Sequence, residues 1–287
     1  MRFDVDTKLP FGINRNVYDV TSKDNNMLNV AIVNQKGGSA KTTTAVCLAA
    51  ALVERGRKVL LVDLDPQGSA SAWCGVKVSG REFLEALLDR TDLGPLVQPS
   101  PTRIDLIPCG LSFAGLERVV AGEPGAETLL REAVSGMSEL WDYVLYDCPP
   151  SLNVASINAL VAADVALVPV EAHVLSLEPL ARLLDTVERV RQRLNARLRV
   201  SGIVACRVDN RTNHGPEVLK LLREKFGSNV YNVSIRENIR LAEAPGFKQP
   251  ITQYDPHGRG ADDYRQLAAE FDQREGRNGP EETNPTN

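Results

Sequence analysis

Cysteine is sparse in this chain of 287 residues. The five cysteines, Cys47, Cys74, Cys109, Cys148 and Cys206, stand far apart and form no C-x-x-C pair. That spacing builds neither a zinc cluster nor a disulfide framework, and reduced thiols suit a cytosol. Long apolar runs are absent as well: none reaches the roughly 18 residues needed to span a bilayer, and the N-terminus lacks a hydrophobic signal-peptide core. The expectation is a cytoplasmic protein with no membrane partner. Histidine is equally thin, and His173, His214 and His257 are too far apart in sequence to make a metal-binding spacing. Aromatic residues make up 5%, and Trp73 and Trp141 read as packing groups. Overall basic charge is missing too, the net charge being -4, which argues against a protein that is basic all over.

What remains is the composition of a globular protein, 43% hydrophobic and 24% charged, with length enough for a full core. The charge is unevenly placed. Between Arg182 and Arg211 eight arginines face three acids, so this segment is +5 and the remainder -9. Such a run is either a solvated helix face or a local patch for a polyanion.

Residues 1–27 are polar with no sustained period and read as an N-terminal extension. Residues 274–287, rich in Gly, Pro, Asn and charge, read as a disordered tail. Between them, residues 28–273 alternate short β-branched runs with longer helical patterns. The expected strands are "NVAIVN", "KVLLVD", "RIDLIP", "DYVLYD", "DVALVPV" and "VSGIVAC", with a weaker one at "NVYNVSI". Helical patterns include "KTTTAVCLAAALVERG", closed by Gly56, and "LSLEPLARLLDTVERVRQRLN". Runs such as "KVLLVD" do not alternate in polarity, as expected of strands buried on both faces of a parallel sheet. An α/β fold follows, doubly wound and mostly parallel with helices on both faces, whose ligand should sit beyond the carboxyl ends of the strands.

At the first such end stands "NQKGGSAKTTTA", Asn34 to Ala45. It departs from G-x-x-x-x-G-K-[ST], because Gln35 and Ala40 hold the two glycine positions and Lys36 is an additional cation. Strand, glycine turn and helix is nevertheless the context of a phosphate loop. Backbone N–H groups from Gly37, Gly38, Ser39 and Ala40 and the helix N-terminus point toward one concavity that favours an anion. Lys41 would reach the β and γ phosphates, the Thr42 hydroxyl would ligate magnesium, and Thr43 could touch the α phosphate. The alternative is that Gly37-Gly38 only serves a tight turn. If Ala40 needs a positive φ, its Cβ adds roughly 1 kcal/mol of strain.

Acids at other strand ends bear on the choice. "KVLLVD" ends in Asp63, Asp65 follows two residues on, and "DYVLYD" ends in Asp147. Asp65 could orient or activate a water for in-line attack on a γ phosphate, and Asp147 resembles a Walker B aspartate that holds magnesium through a water. Thr42, Asp63, Asp65 and Asp147 are therefore the candidate metal set. Each aspartate could also be an ordinary cap or turn residue.

These segments, with "ADVALVPVEA", "DNRTNHGPEVLKLLREKFG", "NIRLAEAP" and "DPHGRGADDYRQLAAE", resemble the ParA family of partition ATPases, which belongs with MinD to the deviant Walker A group of P-loop NTPases. The likeness runs in family order over roughly residues 28–272. It implies ATP and magnesium as cofactors, and a homodimer that sandwiches ATP. Lys36 is similar to the family's second lysine, which reaches the nucleotide bound by the other subunit. Lys36, Lys41 and Asp65 become the catalytic candidates, and Asp209, at the head of "DNRTNHG", joins the nucleotide-contacting set. Arg211 and Arg240 match arginines that bind non-specific DNA in chromosomal relatives. A ParB-like activator and a cytoplasmic, nucleoid-associated location are implied as well. Ser39-Ala40 stands where the family usually has Val-Gly, and Arg236-Glu237 where Pro-Arg is common. The C-terminal "REGRNGPEETNPTN" cannot form the amphipathic membrane helix with which MinD-like chains finish.

Two other functions fit parts of the pattern. One is a P-loop biosynthetic enzyme acting on a small acid, which "RTNHG" and "NIRLAEAP" speak against. The other is a nucleotide-binding module that never hydrolyses, which Ala40 makes conceivable.

Overall fold

A computed structural model describes residues 27–78, 81–137, 140–173, 177–209, 211 and 214–276. The expected N-terminal extension and C-terminal tail lie almost wholly outside these residues. Seven strands form one sheet: β1 (Leu28–Ile32), β2 (Val59–Asp63), β3 (Gln98–Pro99), β4 (Asp105–Ile107), β5 (Tyr143–Asp147), β6 (Val165–Glu171) and β7 (Arg199–Cys206). Their order is β3-β4-β2-β5-β1-β6-β7. Every pairing is parallel except the short β3–β4 contact at one edge.

Alternate strand residues serve two cores, as the two-residue period of a strand requires. Val30, Ile32, Leu61, Tyr143, Leu145 and Leu167 face one of them. On that side lie helix α1 (Lys41–Glu54) and α11 (Arg259–Arg274), the latter contributing Tyr264, Leu267 and Phe271. Ala31, Val33, Leu60, Val62, Val144 and Val168 face the other. There α3 (Glu82–Leu88), α5 (Leu129–Val134), α6 (Val154–Ala162), α7 (Leu177–Arg193) and α8 (His214–Phe226) cover the sheet. Short helices α2 (Ser69–Trp73), α4 (Leu116–Val119), α9 (Ile239–Glu243) and α10 (Ile251–Tyr254) fill the connections. Covered on both faces, β2 and β5 are buried at every residue, which is why their sequences do not alternate.

Six expected strands form, and α1 ends where Gly56 takes a φ of 80°. The weak strand at "NVYNVSI" does not become a ladder. It meets the β7 segment through isolated bridges, Ile203–Val230 and Val208–Arg236, with the Ile235 N–H also donating to Ala205 O. The reason is competition for donors: the backbone N–H groups of Asn232 and Val233 both point at the Glu270 carboxylate, each at 3.0 Å. In contrast, β3 has no counterpart among the expected strands, because two residues, one of them Pro99, carry no periodic signal.

Both tryptophans pack as expected, with Trp73 Nε1 donating to Gln249 O and Trp141 Nε1 to Asp105. All five cysteines are free and buried. Burial pushes the Cys148 thiol well above its ordinary range, so it has no thiolate with which to react. No helix among the described residues is long and apolar enough to cross a membrane.

Candidate functional site

Parallel register brings the site together. Ile32 pairs with Asp147, and Asp63 pairs with the same Asp147 from the other side. The turn after β1 and the two strand-end aspartates thus share one edge of the sheet, where strand polarity requires a ligand to sit. The turn reverses through Gly38 at φ 75° and Ala40 at φ 66° before α1 begins at Lys41. Ala40 therefore meets the condition set by the sequence: its Cβ is held in the left-handed region, with a strain of roughly 1 kcal/mol that glycine would not carry. Gly37 and Gly38 are exposed, and no side chain caps the α1 N-terminus. First-turn N–H groups without a side-chain cap suit an anion.

Lys41 is buried, and its Nζ donates to the Lys36 carbonyl at 3.2 Å. Burial lowers its pKa, while the charges of Asp147, Cys148 and Asp65 act in the opposite direction. Asp147 has no exposed surface, and neither of its oxygens meets a hydrogen-bond partner. Burial, followed by the nearby Asp63 charge, drives its pKa well up. The Thr42 hydroxyl and Lys41 oppose that rise without reaching hydrogen-bond geometry. Buried polar groups are nearly always satisfied, so this carboxylate fits a cation, or a cation-bound water, as its missing partner.

Asp63 differs. Its Oδ2 accepts both the backbone N–H and the hydroxyl of Ser71, and its Oδ1 accepts the Asp65 N–H. Burial pushes its pKa up to about 6, against the pull of those Ser71 bonds. Of the expected metal set, Asp63 thus already accepts three hydrogen bonds within the turn that presents Asp65, whereas Asp147 accepts none. Asp65 is half-buried, with Oδ1 accepting the Gln67 N–H. Gly68 closes this turn at φ 62°, and a Cβ there would lie 2.7 Å from the Cys109 carbonyl. Among the described residues no three acidic, cysteine or histidine side chains form a ready cage. Magnesium, which keeps waters and takes one or two carboxylates plus phosphates, does not need one.

An unpaired buried carboxylate has a thermodynamic consequence. A carboxyl whose folded-state pKa is raised destabilises the fold increasingly as pH climbs from the unfolded value, about 3.9, through the folded one. Asp147→Asn is therefore expected to stabilise the magnesium-free and nucleotide-free chain by about 1–3 kcal/mol. Urea denaturation should show a larger gain at pH 8 than at pH 5, and an equal or opposite effect would mean that the carboxylate has a partner in solution.

The remaining candidates lie outside this cluster. Lys36 is exposed, and its Nζ pairs with Glu171, the last residue of β6, at 2.6 Å. Asp209 accepts the Arg211 backbone N–H and guanidinium, and Arg211 also reaches Glu237 at 3.1 Å. Arg240 pairs with Glu243 at 2.9 Å, and Arg236 is held by Asp263. Both expected DNA arginines thus have carboxylate neighbours, the ion-pair alternative that an arginine always carries. Three residues that shape the site were not anticipated: Ser71, Glu171 and Asn34, whose side chain bridges Pro169 O and the Lys36 N–H. Glu171 is a strand-end acid like Asp63 and Asp147, so the same rule applied to β6 would have found it.

The model of an AAA domain matches residues 27–200. The chromosome-partitioning ATPase Soj of Thermus thermophilus is 45% identical over 241 residues, which are 84% of this chain and 94% of that protein. This chain belongs to the ParA family of partition ATPases. Its ParA relatives include the sporulation initiation inhibitor protein Soj of Bacillus subtilis, 39% identical over 84% of this chain and 96% of that one. Among solved structures, the cobyrinic acid a,c-diamide synthase of Mycobacterium smegmatis with bound ADP and magnesium superposes with a TM-score of 0.76. It is 31% identical, over 90% of this chain and 99% of that one. The ParA fold and the mostly parallel sheet are thus shared along nearly the whole described length.

Proposed function

We propose that this chain is an ATP-driven dimeric switch that positions a DNA or protein cargo. The observation that carries the reading is the orphaned Asp147 carboxylate, buried beside Lys41 and Thr42 at the uncapped start of α1. Bound ATP with magnesium would supply a transferable γ phosphate and a cation against Asp147. The chain's own part is to hold it: Gly37 to Ala40 present backbone donors, Lys41 neutralises phosphate charge, the Thr42 hydroxyl faces the cation, and Thr43 contacts the α phosphate. Asp65 takes the proton of the attacking water. Lys36 serves the nucleotide of the other subunit, so that charge neutralisation from both sides holds the dimer together. Asp209, three residues past β7, would add a nucleotide contact.

DNA binding would use Arg211 and Arg240, which are exposed and would exchange Asp209, Glu237 and Glu243 for phosphates. Exposed ion pairs contribute little and are screened by salt, so the exchange is feasible at low ionic strength. Phosphate contacts of this kind give affinity that is blind to sequence and steep in salt. Arg211→Ala and Arg240→Ala should each weaken retention on any DNA and reduce the log–log salt slope by about one per subunit, about two for the dimer. Filter binding across a salt series measures this, and a changed base preference with an unchanged slope would contradict it. A ParB-like protein on the cargo would stimulate hydrolysis and release.

A biosynthetic reading is favoured by one observation, the 31% identity to a structure described as a cobyrinic acid a,c-diamide synthase. Measuring size and DNA retention with ATP, with ADP and without nucleotide, together with turnover, separates the functions. ATP-dependent dimerisation with salt-sensitive retention supports the switch. A monomer that ignores DNA and consumes ATP only with a small acid supports the biosynthetic enzyme, and ATP binding without turnover under any condition leaves a nucleotide-binding module.

A further inference from the structure

Lys36 is held at three atoms. Its N–H donates to Asn34 Oδ1 at 3.0 Å, its carbonyl accepts from Lys41 Nζ at 3.2 Å, and its own Nζ lies 2.6 Å from Glu171 Oε2. Glu171 is fixed in turn. It ends β6, which pairs with β1 on one side and with β7 on the other, where Glu171 stands opposite Cys206. The next residue, Arg207, places its guanidinium 3.6 Å from Glu171 Oε1 and adopts a φ of 55°. The Lys36 hydrogen bond, helped by the charges of Lys36 and Arg207, keeps the Glu171 carboxyl below its ordinary range, so it stays an anion wherever the protein works.

We infer that Glu171, oriented by Arg207, is a positioning residue that parks Lys36 on its own subunit and sets how readily ATP drives dimerisation. This deepens the proposed function and rests on its assignment of Lys36 to the partner's nucleotide. An ammonium whose charge is already met by Glu171 has less to offer a phosphate across an interface, so each of the two pairs in a dimer opposes assembly. Lys41 links the two events, because the ammonium that bonds the Lys36 carbonyl is the one a triphosphate recruits. Phosphate arriving at Lys41 removes one of the three holds on Lys36. The Lys36–Glu171 pair is partly exposed, with side-chain exposures of 42% and 27%, so its strength is that of a surface pair. Releasing it is a factor of about two to five per lysine, and roughly four- to twenty-five-fold for a dimer that uses both.

The test compares the full-length wild type with Glu171→Gln and Glu171→Asp. Sedimentation with a non-hydrolysable ATP analogue and magnesium gives the dimer dissociation constant. Acylation of Lys36 in the nucleotide-free chain, read by peptide mass spectrometry, reports on the parked ammonium without any dimer. Glu171→Gln should dimerise roughly four- to twenty-five-fold more tightly and label faster at Lys36, while Glu171→Asp, which keeps the charge, stays near wild type in both. Unchanged labelling in Glu171→Gln overturns the clasp, and an equal or weaker dimer overturns its role as a restraint. A wild type that stays monomeric with the analogue overturns the functional reading itself. That result is distinguishable from failure of the clasp, because Lys36 labelling would still respond to Glu171→Gln.

Discussion

Lys36→Ala is expected to abolish the ATP-dependent dimer at concentrations where the wild type is fully paired. Each dimer would lose two charge-assisted contacts to phosphate, at about 1.5–3 kcal/mol apiece, or roughly two to four orders of magnitude in dissociation constant. The monomer should remain folded, since Lys36 is exposed and leaves behind only Glu171, which keeps Arg207 within 3.6 Å. Nucleotide should still bind the variant, because Lys41 and the α1 N-terminus are untouched. Sedimentation with the non-hydrolysable analogue, alongside a binding titration, separates these effects. A variant that loses ATP binding as completely as Lys41→Ala would place Lys36 in its own subunit's site.

Asp65→Ala should do the opposite, keeping the dimer and losing turnover by about 10²–10⁴-fold, the span of a general base. Asp65 also accepts the Gln67 N–H at 3.0 Å, so alanine weakens the turn as well as the chemistry. Asp65→Asn is the control: its side-chain carbonyl preserves that acceptor yet cannot take a proton from water at neutral pH. Equal loss of turnover in both variants, with dimers intact, assigns the effect to the proton. Recovery in the asparagine variant would make Asp65 a turn residue only. The contrast with Lys36→Ala matters most, because one variant should sever assembly and the other chemistry.

Much of the fold was legible because burial on both faces writes itself into sequence. β2 and β5 are apolar at nearly every position, end in Asp63 and Asp147, and sit side by side as expected. The phosphate loop was legible from its strand–turn–helix setting despite Gln35 and Ala40. What the sequence left hidden depends on competition between partners. Nothing local says that Glu270 takes the N–H groups of Asn232 and Val233 and prevents a ladder. Ser71 satisfies Asp63 from eight residues away, which distinguishes two aspartates that look alike in sequence, one with its acceptors met and one orphaned. Glu171 meets Lys36 across 135 residues. The arginine-rich segment likewise resolves into individual pairs, Arg191 with Glu188, Arg199 with Glu275 and Arg211 with Asp209, rather than one continuous patch.

Mixing Lys36→Ala with Lys41→Ala tests directly whether one triphosphate is served by lysines from two subunits. A heterodimer of these chains has one nucleotide site in which Lys41 comes from the first variant and Lys36 from the second. Turnover of the mixture well above the sum of the separate variants is the expected result. A mixture that sedimentation shows to be paired, yet is no more active than its parts, would show that both lysines serve the nucleotide of their own chain, and would contradict the account.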